Sequence, residues 1–406
     1  IAPVEYGIFT DPDPLPKWHE LYGYAIEAEA LAALKSARTL SRRLGVSYRE
    51  LIDIARTGFV NPQLDKLVVL RKLGVETSDV FRYKGHAAYP AFTPDERTAF
   101  EQRFDDLTEK FNPSGDPAGF NARTWLDAAW RNGDFNRILV LVDPGAGCNF
   151  DMTILRYADG VDAEGFVFLK INLFVRLWKK LGWTIEETDR ALLTFLPGDL
   201  QTLAAANIGE RLKTALLYLA HAKALNEKLN VGKDSRQKLF TFWSNLATTG
   251  KNPLYAQLFL TVSILKNDPV FDDPLGRYLS KAGILIKDHL LALEAALNLT
   301  ADEIGRILTD AGKIPDTAEL SLSNVSLLFR YGLLAKALKM PVRDLLALKA
   351  LTGLDPFKAL SLAPIPTIPD DYPFSQTLRF VELAEKVKES GFKIEDLGYL
   401  LRHRFD

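Results

Sequence analysis

Histidine and cysteine are the residue types that would most directly indicate catalysis or metal binding, and this chain has few of them. Helical metal motifs place two histidines four residues apart, whereas the five histidines here stand singly. This spacing favours hydrogen-bonded or exposed imidazoles over a metal site. The single cysteine has no base near it in sequence, so a small buried side chain is favoured over a nucleophile, and a base supplied by the fold is the open alternative. These residues are His19, His86, His221, His289, His403 and Cys148.

One glycine-rich segment resembles the start of a phosphate-binding loop. Gly145 and Gly147 follow a β-rich run, but the third glycine of a dinucleotide fingerprint is missing and no βαβ pattern surrounds them. A turn between two strands is therefore the favoured interpretation. The sequence also has no G-x-S-x-G, H-E-x-x-H or C-x-x-C motif and no P-loop lysine.

Four pairs of adjacent acidic residues are the remaining candidates for acid–base chemistry. Adjacent carboxylates on a helix do not face each other, and the segment 268–273 lacks the glycine and closing glutamate of a calcium loop. Solvated turns and caps are therefore expected at 105–106, 186–187, 272–273 and 370–371. No catalytic, cofactor-binding or metal-binding residue is predicted, and we expect the chain not to be an enzyme.

The charge balance favours neither nucleic acid nor an anionic membrane as a partner. The chain has 50 basic and 52 acidic side chains and a formal net charge of −2. Trp125 and Trp130 lie near basic residues, but a wide basic stripe is absent. Both indoles are therefore predicted to pack in the core.

The strongest sequence pattern is one that begins helices. A cap residue is followed three positions later by an acidic residue that reaches back to it, which satisfies two otherwise unpaired N–H groups. The residue before the cap is apolar and can pack against the new helix, so Trp183 and Leu299 are predicted to be buried. The complete pairs are Ser47 with Glu50, Thr93 with Glu96, Thr184 with Glu187 and Thr300 with Glu303. Pro341 and Lys393 begin degenerate copies.

The sequence around these caps predicts α-helix over most of the chain. Helices are predicted over 20–44, 47–56, 64–73, 94–111, 123–132, 166–178, 325–338, 377–389 and 394–402. β-Rich runs at 80–83, 138–142 and 152–155 predict a small β element near residues 80–90 and 136–158. The expected fold is mainly α, an irregular multi-helix array, because the caps recur at irregular intervals rather than at the fixed period of a solenoid.

Composition and proline content suggest four segments. They are an N-terminal helical segment (1–75) that opens with an extended lead-in over residues 1–17, a mixed α/β insertion (76–160), a central helical domain (161–362), and a proline-rich connector with a helical pair (363–406). No signal peptide is visible. The missing initial methionine suggests an excised or processed piece.

Several phrases of the sequence resemble the TcA subunit of bacterial insecticidal toxin complexes, also called the virulence plasmid A protein family. They are residues 56–62 (Arg-Thr-Gly-Phe-Val-Asn-Pro), 148–160, 176–187 (Arg-Leu-Trp-Lys-Lys-Leu-Gly-Trp-Thr-Ile-Glu-Glu), 242–259 and 345–357 (Leu-Leu-Ala-Leu-Lys-Ala-Leu-Thr-Gly-Leu-Asp-Pro-Phe). Their order and number, rather than any single phrase, carry the resemblance.

The resemblance implies a structural role. Subunits of this family form bell-shaped pentamers whose helical shell surrounds a translocation channel and which deliver a toxic enzyme held by TcB and TcC components. This chain resembles part of the shell and lacks long channel helices and receptor-binding β domains. The implied partners are other copies and segments of the subunit, TcB–TcC components and a host receptor, outside the cell. A helical module that docks a partner protein or receptor is the alternative.

Overall fold

The computed structural model describes residues 2–11, 15–143, 149–231, 236–361 and 373–402. In this part of the chain the fold is mainly α-helical with one small antiparallel β element, as the sequence predicts. The predicted proline-rich connector falls almost entirely on residues 362–372, outside the described residues.

The α-helices vary in length from one turn to seven turns. In chain order they are α1 (Pro3–Phe9), α2 (Glu27–Leu34), α3 (Ala37–Leu44), α4 (Tyr48–Ala55), α5 (Val68–Leu73), α6 (Thr77–Tyr83), α7 (Pro94–Phe111), α8 (Ala122–Arg131), α9 (Gly165–Leu181), α10 (Ile185–Phe195), α11 (Ala205–Leu229), α12 (Gln237–Phe240), α13 (Leu254–Phe259), α14 (Val262–Asn267), α15 (Leu290–Leu297), α16 (Ala301–Asp310), α17 (Leu322–Leu338), α18 (Val342–Thr352), α19 (Pro373–Ser390) and α20 (Ile394–Arg402). Short 3-10 helices cover Leu15–Tyr22, Pro62–Leu67, Leu200–Thr202, Pro269–Phe271, Ile286–His289 and Pro315–Thr317.

The β element consists of two strands, β1 (Leu139–Val142) and β2 (Ile154–Tyr157). They pair antiparallel, with Leu139 opposite Tyr157 and Val142 opposite Ile154. The prediction of strands within residues 136–158 is confirmed.

The other predicted β-rich run, residues 80–83, is wrong, because these residues belong to helix α6. The Asp79 carboxylate accepts the Glu76 N–H at 3.2 Å and so satisfies a donor at the helix start. Val80 and Phe81 are adjacent and both fully buried, whereas a strand would point them to opposite faces. Tertiary packing here overrides the β propensity of Val, Phe and Tyr.

The single helix predicted over residues 20–44 is divided into a 3-10 helix and the helices α2 and α3. Gly23 has a positive φ of 77° and interrupts the first part. The second break lies at Lys35 and Ser36, where the backbone pairs with β2: Leu155 N–H donates to Lys35 C=O at 2.8 Å. Ser36 then caps α3 by accepting the Thr39 N–H.

The extended lead-in predicted over residues 1–17 is also wrong in part, because residues 3–9 form helix α1. Pro3 occupies the first helical position, where a missing N–H is not a loss. The Glu5 carboxylate accepts the Ala2 N–H at 3.2 Å. Proline therefore begins a helix here instead of preventing one.

The predicted helix caps are confirmed at all four complete pairs. At Thr184, for example, the hydroxyl accepts the Glu187 N–H at 3.1 Å while the Glu187 carboxylate accepts the Thr184 N–H at 3.0 Å. The other three pairs have the same reciprocal bonds. Leu299 is buried, as predicted, but Trp183 is only half-buried; its carbonyl accepts the indole N–H of Trp178 at 2.8 Å.

The chain divides into two compact units, and the four-segment division remains a prediction. The first unit spans residues 1–189, 199–210 and 274–276. One of its cores is a cluster contributed mainly by α5 to α8, and another surrounds the largely buried helix α9. There Trp18 stacks on Phe168 with ring centroids 5.6 Å apart, and Tyr22 donates to the Phe168 carbonyl at 2.8 Å.

The second unit spans residues 190–198, 211–273 and 277–406. Aromatic side chains recur through its interior: Phe259 stacks on Phe271 at 4.7 Å, and Phe357 packs against Tyr331 at 4.6 Å and Phe242 at 5.8 Å. Within the described residues, no helix has both the length and the apolar character needed to cross a membrane.

Candidate functional site

An indentation of about 160 Å³ in the first unit is one place where aromatic and charged side chains converge. Helices α6, α7 and α8 supply its walls. Its lining residues are Tyr83, Phe100, Glu101, Phe104, Arg123, Leu126 and Asp127.

The polar groups of the indentation are bonded to one another. Tyr83 donates its hydroxyl to Glu101 at 2.9 Å, and Arg123 lies 3.3 Å from the other oxygen of Glu101. Arg123 also makes two hydrogen bonds to Asp105, at 2.7 and 2.5 Å. Burial, and then the bond to Glu101, raises the pKa of Tyr83, while the Tyr83 hydroxyl lowers the pKa of Glu101.

These shifts keep Tyr83 neutral and Glu101 ionised around neutral pH, so neither group is poised for proton transfer there. The floor is closed as well, since Phe104 is fully buried and Leu126 is 2% exposed. The arrangement fastens α8 to α7 through a charged pair and offers little surface to a ligand.

The four histidines that the structure describes lie in separate surroundings. His19 Nδ1 lies 2.8 Å from the Tyr24 carbonyl oxygen, and His86 Nδ1 accepts the Ala88 N–H at 3.2 Å. His289 Nδ1 lies 2.6 Å from Asp268, and burial lowers the pKa of His221. Among the described residues, no group of three or more His, Cys, Asp or Glu side chains could hold a metal ion.

The remaining predictions concern the cysteine, the glycine segment, the acidic pairs and two tryptophans. Cys148, His403, the acidic pair 370–371 and the glycine segment 145–147 lie outside the described residues. Asp106 accepts a hydrogen bond from Gln102 at 2.7 Å, and Asp273 accepts the Arg277 N–H at 2.9 Å. Trp125 and Trp130 pack against the core cluster of α5 to α8, as predicted.

A second polar cluster joins three helices of the second unit. Lys349 on α18 lies 2.5 Å from Asp310 on α16 and 3.0 Å from the hydroxyl of Tyr331 on α17. Tyr331 donates to the same Asp310 oxygen at 2.7 Å. Burial and the bond to Asp310 strongly raise the pKa of Tyr331, so its hydroxyl is a fixed donor that links the helices.

A further set of buried and half-buried polar contacts surrounds residues 57–61, which we call the buried corner. Asp189 accepts the N–H groups of Gly58 and Phe59, both at 2.9 Å. Lys170 donates to the Val60 carbonyl at 2.7 Å. The amide of Asn61 donates to the Ala55 and Leu139 carbonyls and accepts the Leu139 N–H at 3.3 Å, which ties the corner to strand β1.

The sequence interpretation did not identify Asn61, Lys170 or Asp189 as a set. In the sequence, Lys170 and Asn172 are polar positions within the otherwise apolar run 166–178. That interruption is the available signal, because a polar side chain amid buried apolar neighbours needs a partner. The partner itself lies 110 residues away in the chain and has no local signature.

Comparison with known proteins gives this geometry no further context. No protein-family model matches the chain, and no curated protein matches its sequence.

Proposed function

We propose that this chain is a structural, non-enzymatic segment of the helical shell of a TcA-like toxin subunit, which in the complete protein supports host-cell attachment and toxin translocation. The sequence phrases are the source of this proposal. The observation that supports it is where those phrases lie in the fold.

Three of the five phrases include chain corners whose backbone groups are held by specific contacts. Residues 56–62 contain the buried corner. Residues 176–187 contain the turn between α9 and α10, with Gly182 in the left-handed region and the cap at Thr184. Residues 345–357 contain the end of α18 at Gly353, also left-handed. Corners fix the angles between helices, which is the requirement that a shell places on its sequence.

The genomic context of the coding sequence provides the most direct test. We expect a channel-forming region in the same reading frame, or neighbouring genes for TcB-like and TcC-like components. Electron microscopy of the complete product should then show a pentamer with this segment in its outer shell. Turnover of a substrate by the isolated chain in a broad activity panel would contradict the proposal.

An interaction module is the second candidate, and one observation favours it. Large apolar side chains are exposed on the α19–α20 pair: Leu383, Phe392, Tyr399, Leu400 and Leu401, the last at 69%. Several exposed large apolar side chains on one helix pair are typical of a protein-binding surface. This candidate predicts that a partner protein binds the chain. The double variant Leu400→Lys, Leu401→Lys should abolish that binding.

The matched control is Val262→Lys, since Val262 is exposed but lies on α14. Binding that survives in the control and disappears in the double variant would support a docking role for the α19–α20 pair. Recovery of only the toxin's own subunits would favour the shell.

A further inference from the structure

Lys170 and Asp189 both bond to the backbone of the buried corner, which connects the two side chains. Lys170 Nζ donates to the Val60 carbonyl at 2.7 Å. The peptide unit that contains this carbonyl also contains the N–H of Asn61, which donates to the Thr57 carbonyl at 2.9 Å. The first peptide unit is thus bonded at both ends.

The second peptide unit continues the same series of bonds. The Thr57 carbonyl shares its peptide unit with the N–H of Gly58, which donates to Asp189 Oδ2 at 2.9 Å. The other oxygen of Asp189 accepts the N–H of Phe59 at 2.9 Å. An ammonium group at one end and a carboxylate at the other are therefore joined by three hydrogen bonds through two peptide units.

We propose that these groups form a peptide relay, in which Lys170 and Asp189 act on the hydrogen bonds of the buried corner as one coupled pair although two peptide units separate them. The ammonium draws electron density toward the Val60 oxygen, which makes the Asn61 N–H a better donor. The same effect passes through the Thr57 carbonyl to the Gly58 N–H. The carboxylate polarises both units in the same sense, and aligned hydrogen bonds of this kind strengthen one another in a low-dielectric interior.

Burial determines how strongly the hydrogen bonds of the relay affect the protein's stability. Thr57, Phe59, Val60 and Asn61 are each less than 5% exposed, whereas Gly58 and Asp189 are half-buried. Water therefore has little access to the lysine end of the relay. Burial also lowers the pKa of Lys170, with Glu164 acting in the opposite direction. Lys170 and Asp189 are positioning residues here, because they bind the backbone that leads out of α4, next to the Asn61 side chain that bonds to strand β1.

The amide resonance of Gly58 offers a test that simple loss of packing would not reproduce. We expect Lys170→Met to shift the Gly58 amide proton upfield, although Lys170 contacts Val60 and not Gly58. Lys170→Arg, which keeps the charge, should restore most of the wild-type shift. Lys179→Met is the matched control, because Lys179 lies on the same helix α9 and donates to the Leu44 and Gly45 carbonyls at 2.8 Å.

The reciprocal measurement uses Asp189→Asn, which removes the charge but keeps a side chain of similar size. The Asn61 amide proton should move upfield, and this variant stays informative if Lys170→Met does not fold. In a double-mutant cycle, the unfolding constant of the combined variant should differ by at least about threefold from the product of the single changes. Gly58 and Asn61 amides that respond no more than in the Lys179→Met control, or strictly multiplicative unfolding constants, would overturn the relay.

Discussion

The buried corner at residues 57–61 and the corner at residues 298–303, which we call the capped corner, solve the same problem by opposite means. Both turn the chain out of a helix and both must satisfy free backbone groups. In the capped corner the partners lie within three residues: Thr300 accepts the Glu303 N–H at 3.3 Å, and Glu303 accepts the Thr300 N–H at 2.9 Å. In the buried corner, the partners on Leu139, Lys170 and Asp189 lie 78 to 131 residues away.

Solvent exposure accounts for the different consequences of the two designs. The cap bonds at Thr300 are exposed to water, so a lost bond is replaced by a bond to solvent. Asn61 is only 1% exposed, and a buried group left without a partner carries its full desolvation cost. Stability should therefore depend more on the buried corner than on the capped corner.

The largest expected difference follows from removing Asn61. Asn61→Ala leaves the Ala55 and Leu139 carbonyls and the Leu139 N–H without this partner. At about 1–3 kcal/mol for an unsatisfied buried group, we expect a loss of roughly 3 kcal/mol in the free energy of unfolding. Urea unfolding followed by circular dichroism measures it. A loss no larger than that of an exposed cap would remove the distinction between the corners.

Because of Lys170, the free energy of unfolding should rise at alkaline pH. Burial lowers its pKa to about 8, from 10.5 in an unfolded chain. Between these values the unfolded state binds more protons than the folded state, so this group adds stability as pH rises from about 8 to 10.5. The full contribution is about 3 kcal/mol, and below pH 8 the folded protein carries a buried charge.

Comparison with Lys170→Met isolates this effect from the tyrosines, which also titrate at high pH. We expect the stability difference between the variant and the wild type to change by about 3 kcal/mol from neutral pH to about pH 10.5, in favour of the wild type. Urea unfolding at several pH values measures this difference. A difference that is constant over the range would show that Lys170 keeps an ordinary pKa.

The contrast also explains which features could be predicted from the sequence. The caps at Ser47, Thr184 and Thr300 were predicted correctly because donor and acceptor lie in one short phrase. Asp189 carries no comparable signal, since its partners at Gly58 and Phe59 are fixed only by the tertiary fold. The same reason makes residues 80–83 misleading, where packing converts a β-rich run into helix α6.

The candidate functional site was less predictable than the helices. Glu101 and Arg123 lie on different helices, and their pairing with Tyr83 depends on how α6, α7 and α8 pack. The histidine prediction was of a simpler kind, because it used only the absence of two histidines four residues apart in the sequence.

The capped corner should respond more weakly and only locally. Thr300→Ala removes the acceptor for the Glu303 N–H, and loss of such a cap typically costs about 1 kcal/mol. Thr309→Ala is the control in the same helix, where an exposed hydroxyl donates to the Gly305 carbonyl; a change within about 0.5 kcal/mol is expected there. Differential scanning calorimetry measures the unfolding temperature of both variants. Equal shifts in the two variants would show that the cap does not contribute to stability.

The smallest expected effect is a gain in stability, and it comes from a glycine in the helix that follows the capped corner. Gly305 sits inside α16, and an added Cβ would meet nothing within 4 Å. Gly305→Ala should therefore stabilise the protein by about 0.5–1 kcal/mol, through the lower backbone entropy of alanine in the unfolded chain. Gly165→Ala is the contrasting variant, because its Cβ would lie 2.4 Å from the indole nitrogen of the fully buried Trp18. That overlap should destabilise by about 1–3 kcal/mol, so chemical unfolding that gave both variants the same sign would show that local space near these helices does not control the response.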